Sequence, residues 1–151
     1  MTSAARTDAA RTGPTAIGST PTGSAAKGVA VSVLVTTIGA GILCFLISLG
    51  AQALGADASQ VTGLQPAAYL FLIVVGVLAG AIGWDVVRRR AANPARVLSW
   101  LVPVVFVVSL IPDVLVGVAF GAVAGIALGL MHLAVLAVAL PTYRRFLPLS
   151  R

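Results

Sequence analysis

An all-α integral membrane protein, a four-helix transmembrane bundle with a disordered N-terminal tail, is the fold class this sequence predicts. Three observations carry that expectation. Of 151 residues, 59% are hydrophobic and only 9% are charged, against about a quarter charged in a soluble domain. The apolar residues come in runs of bilayer length, with a mean hydropathy of +1.06. The basic residues gather between those runs.

Residues 1–28 are Ser, Thr, Ala, Gly and Pro with scattered charge, and AART occurs at 4–7 and again at 9–12. Nothing there can bury a core, so the segment reads as a disordered cytoplasmic tail. The transmembrane domain then covers residues 29–143. Its first span runs from about Val29 to Ala53, longer than the about 20 residues a bilayer needs. Ala51-Gln52-Ala53 imitates a signal-peptidase site. The run is too long for a signal's apolar region of about 7–15 residues, and a long polar tail precedes it.

Gly55 to Pro66 is a short polar loop containing Asp57 and no basic residue. The second span, about 67–87, is stopped by Arg88-Arg89-Arg90, and Asn93-Pro94 marks the turn after it. Val97 to Leu140 has no Lys, Arg or Glu. As one helix it would measure about 66 Å against a core of about 30 Å, so it must fold back once. A balanced split gives spans of about 97–117 and 121–140, with the turn at GVAFG, Gly117 to Gly121. A turn at Pro112-Asp113 would instead leave helices of about 22 and 42 Å. Residues 144–151 form a short basic tail.

Charge tests this threading. Four spans place all ten basic residues on one face, and the other face carries Asp57 with nothing positive. The positive-inside rule makes the basic face cytoplasmic, with both termini inside, in a bacterial inner membrane. Trp84 and Trp100 then join Arg88, Arg89 and Arg90 as interfacial anchors. Asp85 has helical pairing distance to Arg88 and Arg89. The arginine run also suits anionic lipid head groups. The net charge of +6 does not indicate nucleic acid, because no basic face is interleaved with stacking aromatics.

Small and polar residues mark helix contacts. Span one has Ser32, Thr36, Ala40, Cys44, Ser48 and Gln52 at a spacing of four. That stripe reads as a packing face, with a polar conduit as the alternative. Gly76 and Gly80 in span two, and Gly121, Gly125 and Gly129 in span four, read as helix-packing glycines, within one chain or between copies. Cys44 is the only cysteine, so neither an intrachain disulfide nor a thiolate metal cluster can form.

Ser109, Pro112, Asp113 and His132 form the candidate polar intramembrane site. Pro112 cannot donate to the carbonyl of Val108, which predicts a kink and a free acceptor. Ser109 lies one turn before Asp113 on the same side. Counted from Val97, Asp113 stands about 24 Å up its helix, and His132 stands about 12 Å above Leu140. That separation is too long for direct contact, although boundary shifts of a few residues would close much of it. Intramembrane ionisable residues are functional suspects; His132 also suits a plain interhelical hydrogen bond. A hydrolase triad of Ser109, Asp113 and His132 lacks a GxSxG elbow and an oxyanion hole. A lone histidine with one aspartate makes no metal site. No catalytic residue, metal or cofactor is expected.

The pieces GWDVVRRRAANPARVLSW, SLIPD, MHL and LPTYRRFLP resemble an uncharacterised family of small four-span membrane proteins from actinobacteria. The resemblance covers roughly residues 30–149, is strongest at the Arg-rich loop, Pro112-Asp113 and Met131-His132, and implies a four-helix inner-membrane protein with no assigned activity. Two function classes stand. The first is a structural or regulatory membrane subunit acting through helix contacts, as a homo-oligomer or with a membrane protein partner. The alternative is a small transporter or proton-coupled carrier using Asp113 and His132.

Overall fold

A computed structural model describes residues 22–149, and in it the chain is helical with no strand among those residues. The helices are α1 (Thr22–Ala53), α2 (Pro66–Arg90), α3 (Pro94–Ser109), α4 (Ile111–Phe120) and α5 (Ala122–Phe146), with a single 3₁₀ turn at Thr62–Leu64. Four stretches are long and apolar enough to cross a membrane: Ala26–Ala53, Pro66–Arg90, Pro94–Phe120 and Ala122–Phe146. The third is α3 and α4 in series.

Each boundary has a local cause. Gly55 ends α1 at φ +96°. Its N–H reaches the Gln52 carbonyl at 3.0 Å, and Ala56 N–H reaches Ala51 at 2.9 Å. Those are the paired closing bonds of a Schellman C-cap, which needs a left-handed residue where glycine stands. Pro66 and Pro94 occupy first-turn positions of α2 and α3, where no N–H is missed. The Asn93 side chain caps α3 by accepting from Arg96 N–H at 3.1 Å. Arg88, Arg89 and Arg90 fill the last turn of α2, where the helix dipole favours cations.

The helices alternate in direction. A Cβ on Gly28 would lie 2.8 Å from the Phe146 carbonyl oxygen, so the start of α1 meets the end of α5. Trp84 near the end of α2 donates to the Leu147 carbonyl at 3.0 Å. The start of α3 follows α2 after three residues. Lys27, Arg88–Arg90, Arg96, Arg144 and Arg145 therefore share one end of the bundle.

The stripe on α1 is its buried face: Ser32, Thr36 and Ala40 are 0% exposed, and Cys44 and Ser48 are also buried. Gln52 is exposed but hydrogen-bonds back to Ser48. This face packs chiefly on α5 and α2. Small side chains let the backbones approach, and Ser48 donates to the Leu64 carbonyl at 2.8 Å. Large apolar residues such as Leu34, Phe71, Trp100 and Val118 point outward, as suits a lipid solvent.

Two boundaries differ from the sequence reading. Residues 22–28 of the expected tail are helical, held where Gly28 packs on the extended end of α5; residues 1–21 and 150–151 lie outside the described residues. The helix of span four continues through Pro141 to Phe146 rather than ending at Leu140. A proline in a membrane helix is tolerated where neighbours and side chains satisfy the freed groups. Pro103 sits similarly inside α3.

Candidate intramembrane site

The third span breaks at Leu110, whose N–H turns to the Val107 carbonyl at 3.2 Å in a tighter, three-residue turn. The helix restarts at Ile111 with Pro112 in its first turn. Pro112 thus stands in the first turn of α4, at the break between the two helices of the third span. Asp113 also lies in that first turn, where the N-terminal dipole of α4 favours an anion. The apolar run holds a proline and a carboxylate together because they are ordinary helix-start residues, used in mid-span.

The reversal into α5 is at Gly121, φ +103°, the last residue of GVAFG. No side chain faces a neighbour there: a Cβ on Gly121 would meet nothing within 4 Å. Gly121 is therefore the turn and not a packing glycine. The facing pair is Gly117 and Gly125, each four residues from it. A Cβ on Gly125 would lie 2.7 Å from Gly117 Cα and 2.9 Å from the Asp113 carbonyl oxygen. Gly129 makes only an ordinary contact, 3.6 Å to Leu110 Cδ2. Gly80 lies under the Tyr143 hydroxyl, and Gly76 has open space beside it.

This close crossing brings together two residues that the depth count kept apart. His132 Nδ1 lies 2.8 Å from Asp113 Oδ2, so the expected separation of about 12 Å is corrected to direct contact. The expected depths run from two different cytoplasmic boundaries, and one of those lies farther out because α5 continues through Pro141 to Phe146. Measured from Gly121, Asp113 is eight residues down and His132 eleven, a difference of about 4.5 Å. Helical side chains lean toward their own N-terminus. On antiparallel α4 and α5 that leans Asp113 and His132 toward each other.

His132 Nδ1 also lies 3.2 Å from the Leu128 carbonyl. In the ring form that carries its hydrogen on Nδ1, two acceptor oxygens face that one donor. That N–H is aimed at Leu128, which leaves Asp113 Oδ2 buried in ion-pair proximity but with no well-directed hydrogen bond. A small ring rotation would transfer the bond between the two acceptors. The aspartate side chain is 7% exposed and the imidazole 41%, so the pair has one closed and one open member.

Ser109 does not join them. Its hydroxyl donates to the Phe106 carbonyl at 2.7 Å within α3. Among the described residues no group of three His, Cys, Asp or Glu could hold a metal ion.

The anchor residues divide. Trp100 is 73% exposed, as an interfacial ring should be. Trp84 is buried, tilted against Tyr143 at 5.8 Å, and so belongs to the bundle interior rather than the lipid-facing belt. Asp85 pairs with Arg88 and with Arg89, while Arg90 is exposed. Tyr143 was not singled out from sequence, yet its hydroxyl donates to the Val77 carbonyl at 2.7 Å and ties α5 to α2. Its only sequence signal is a phenol one turn past the apparent end of a span.

No curated protein and no solved structure matches this chain. In keeping with the resemblance carried by the Arg-rich loop, Pro112-Asp113 and Met131-His132, the chain belongs to the family of unknown function DUF6069, which matches residues 24–148.

Proposed function

We propose that this multi-pass membrane protein is a small proton-coupled carrier of the bacterial cytoplasmic membrane, with both termini cytoplasmic and the Asp113–His132 pair as its proton-binding site. The observation that carries the reading is the 2.8 Å contact between the two groups. As a pair they are neutral whether the shared proton sits on the carboxyl or the ring. Gain or loss of one further proton leaves a net charge in a medium where charges interact strongly. That charge acts on the α4–α5 crossing, beside the break at Leu110. On this reading the proton enters through the imidazole, the more exposed member of the pair.

The test is pH-driven flux in reconstituted vesicles under an imposed proton gradient, with internal pH as the readout. Asp113→Asn and His132→Gln are each expected to abolish the protein-dependent proton movement while the purified protein stays monodisperse. Equal proton movement in wild type and both variants would sink the carrier reading.

The second reading, a structural or regulatory subunit, is favoured by a different observation. Only 6% of the apolar window in Pro94–Phe120 is buried within the chain, against 22–33% in the other spans. The open flank of Gly76 adds a second free surface. On this reading Gly76→Leu removes co-purification of a second copy or partner, and Asp113→Asn is silent.

A further inference from the structure

A groove of about 820 Å³ opens between α1 and α2 on the outside of the bundle. Its walls are apolar, with Val33 and Leu34 on α1 and Val74 and Leu78 on α2. Its mouth, at the basic end, is formed by Asp85 and Arg89. Along α1 the lining runs from Ala26 to Thr37, eleven residues or about 16 Å. That is the depth of one leaflet, half of a core about 30 Å thick.

The two ends differ in chemistry. Among the described residues Asp85 is the only acid at the mouth, and it is already engaged by Arg88 and Arg89. Arg89 remains 58% exposed. Lys27 is exposed, three residues before Ala30 and seven before Leu34, on the edge of the same α1 face. Arg88 and Arg89 outnumber the one carboxylate they engage, and with Lys27 and Arg90 at the same end of the bundle the mouth is cationic. The polar residues 1–21 contain one large aliphatic side chain, Ile17, and do not suit the walls.

We infer that this groove is a site for one acyl chain of an anionic phospholipid of the basic-side leaflet, with the phosphate held at the mouth by Arg89 and Lys27. The walls match a chain reaching the bilayer midplane, and the mouth matches the sign of the head group. The inference rests on the membrane-spanning architecture and is independent of the Asp113–His132 reading.

The experiment is native mass spectrometry of the full-length protein released from phosphatidylcholine vesicles containing phosphatidylglycerol. Wild type retains one phosphatidylglycerol per protomer in preference to phosphatidylcholine. Lys27→Gln lowers that preference about fivefold. Asp85→Asn raises it, because the arginines lose their internal counter-charge. Leu78→Trp, which fills the groove, removes both lipids. Should that variant misfold, Val74→Phe at the deep end loses long-chain phosphatidylglycerol and keeps a short-chain analogue. Equal retention of the two lipids by wild type overturns the inference. So does a preference unmoved by Lys27→Gln and Asp85→Asn, or a lipid-free dimer in place of the lipid adduct.

Discussion

Replacing Gly125 by alanine puts the α4–α5 crossing to a quantitative test. The new Cβ would stand 2.7 Å from Gly117 Cα, 2.9 Å from the Asp113 carbonyl oxygen and 3.0 Å from Gly117 N. All three are backbone atoms, so no rotamer change relieves the clash. Carbon atoms in contact prefer about 3.5–4.0 Å, so the helices must separate by about 1 Å. Gly117→Ala is the internal control. Its Cβ would meet Gly125 Cα at 3.4 Å, which is ordinary contact. Both substitutions gain the same helix propensity of about 1 kcal/mol, so the difference between them isolates the clash.

Overpacking of this kind costs about 1–3 kcal/mol, and Gly125→Ala should be less stable than Gly117→Ala by that amount. A separation of about 1 Å would also carry the 2.8 Å Asp113–His132 contact beyond hydrogen-bonding range. Unfolding in mixed micelles measures the first effect, and the ¹⁵N shifts of the His132 ring measure the second. Equal stability of the two alanine variants, with unchanged ring shifts, would refute the facing of Gly117 on Gly125 and the pairing that depends on it.

Two further outcomes are expected. Tyr143→Phe deletes a buried donor to the Val77 carbonyl, and the same unfolding assay should register a loss of about 0.6–1.5 kcal/mol. Asp57 accepts hydrogen bonds from the Ser59 hydroxyl, the Ser59 N–H and the Gln60 side chain, which hold its carboxyl below its ordinary value of 3.8. The folded loop therefore favours the ionised form: its order is complete above that ordinary value and lost as pH falls through the lowered one. Amide exchange at Ser59 should accelerate only at that acidic end, and Asp57→Asn should flatten the profile.

The number of spans was legible because it depends on length and charge, both of which are written along the chain. Helix ends also left marks, in Gly55, Asn93-Pro94 and the arginine run. What could not be read were azimuths and relative depths. Trp84 belongs to the residue type that anchors at interfaces, yet the direction it faces depends on α5 continuing past Pro141 to offer Tyr143 and the Leu147 carbonyl. The glycines at 117, 121, 125 and 129 form one series in sequence. In space the turn at Gly121 folds that series back on itself, so 117 and 125 face each other and 121 faces nothing. Depth errors accumulate when each residue is counted from its own uncertain boundary. Counting both residues from the shared turn would have placed Asp113 and His132 within one helical turn of each other.

The magnitudes then decide what keeps Asp113 inside the membrane. An aspartate at the centre of a spanning helix costs about 2.5–3.5 kcal/mol on insertion scales, and Asp113, eight residues or about 12 Å from the turn at Gly121, lies off that centre and costs less. The N-terminus of α4 offsets about 0.3–1 kcal/mol, or about 2 in a favourable buried geometry. The helix start therefore offsets part of that cost. The imidazole is the remaining polar group at the carboxylate, because Ser109 is turned to Phe106. The cost of about 3–5 kcal/mol for breaking a fully buried pair is an upper bound here, because the imidazole is 41% exposed. The histidine and the helix start therefore both contribute to holding the aspartate, and each lies where the turn at Gly121 brings it.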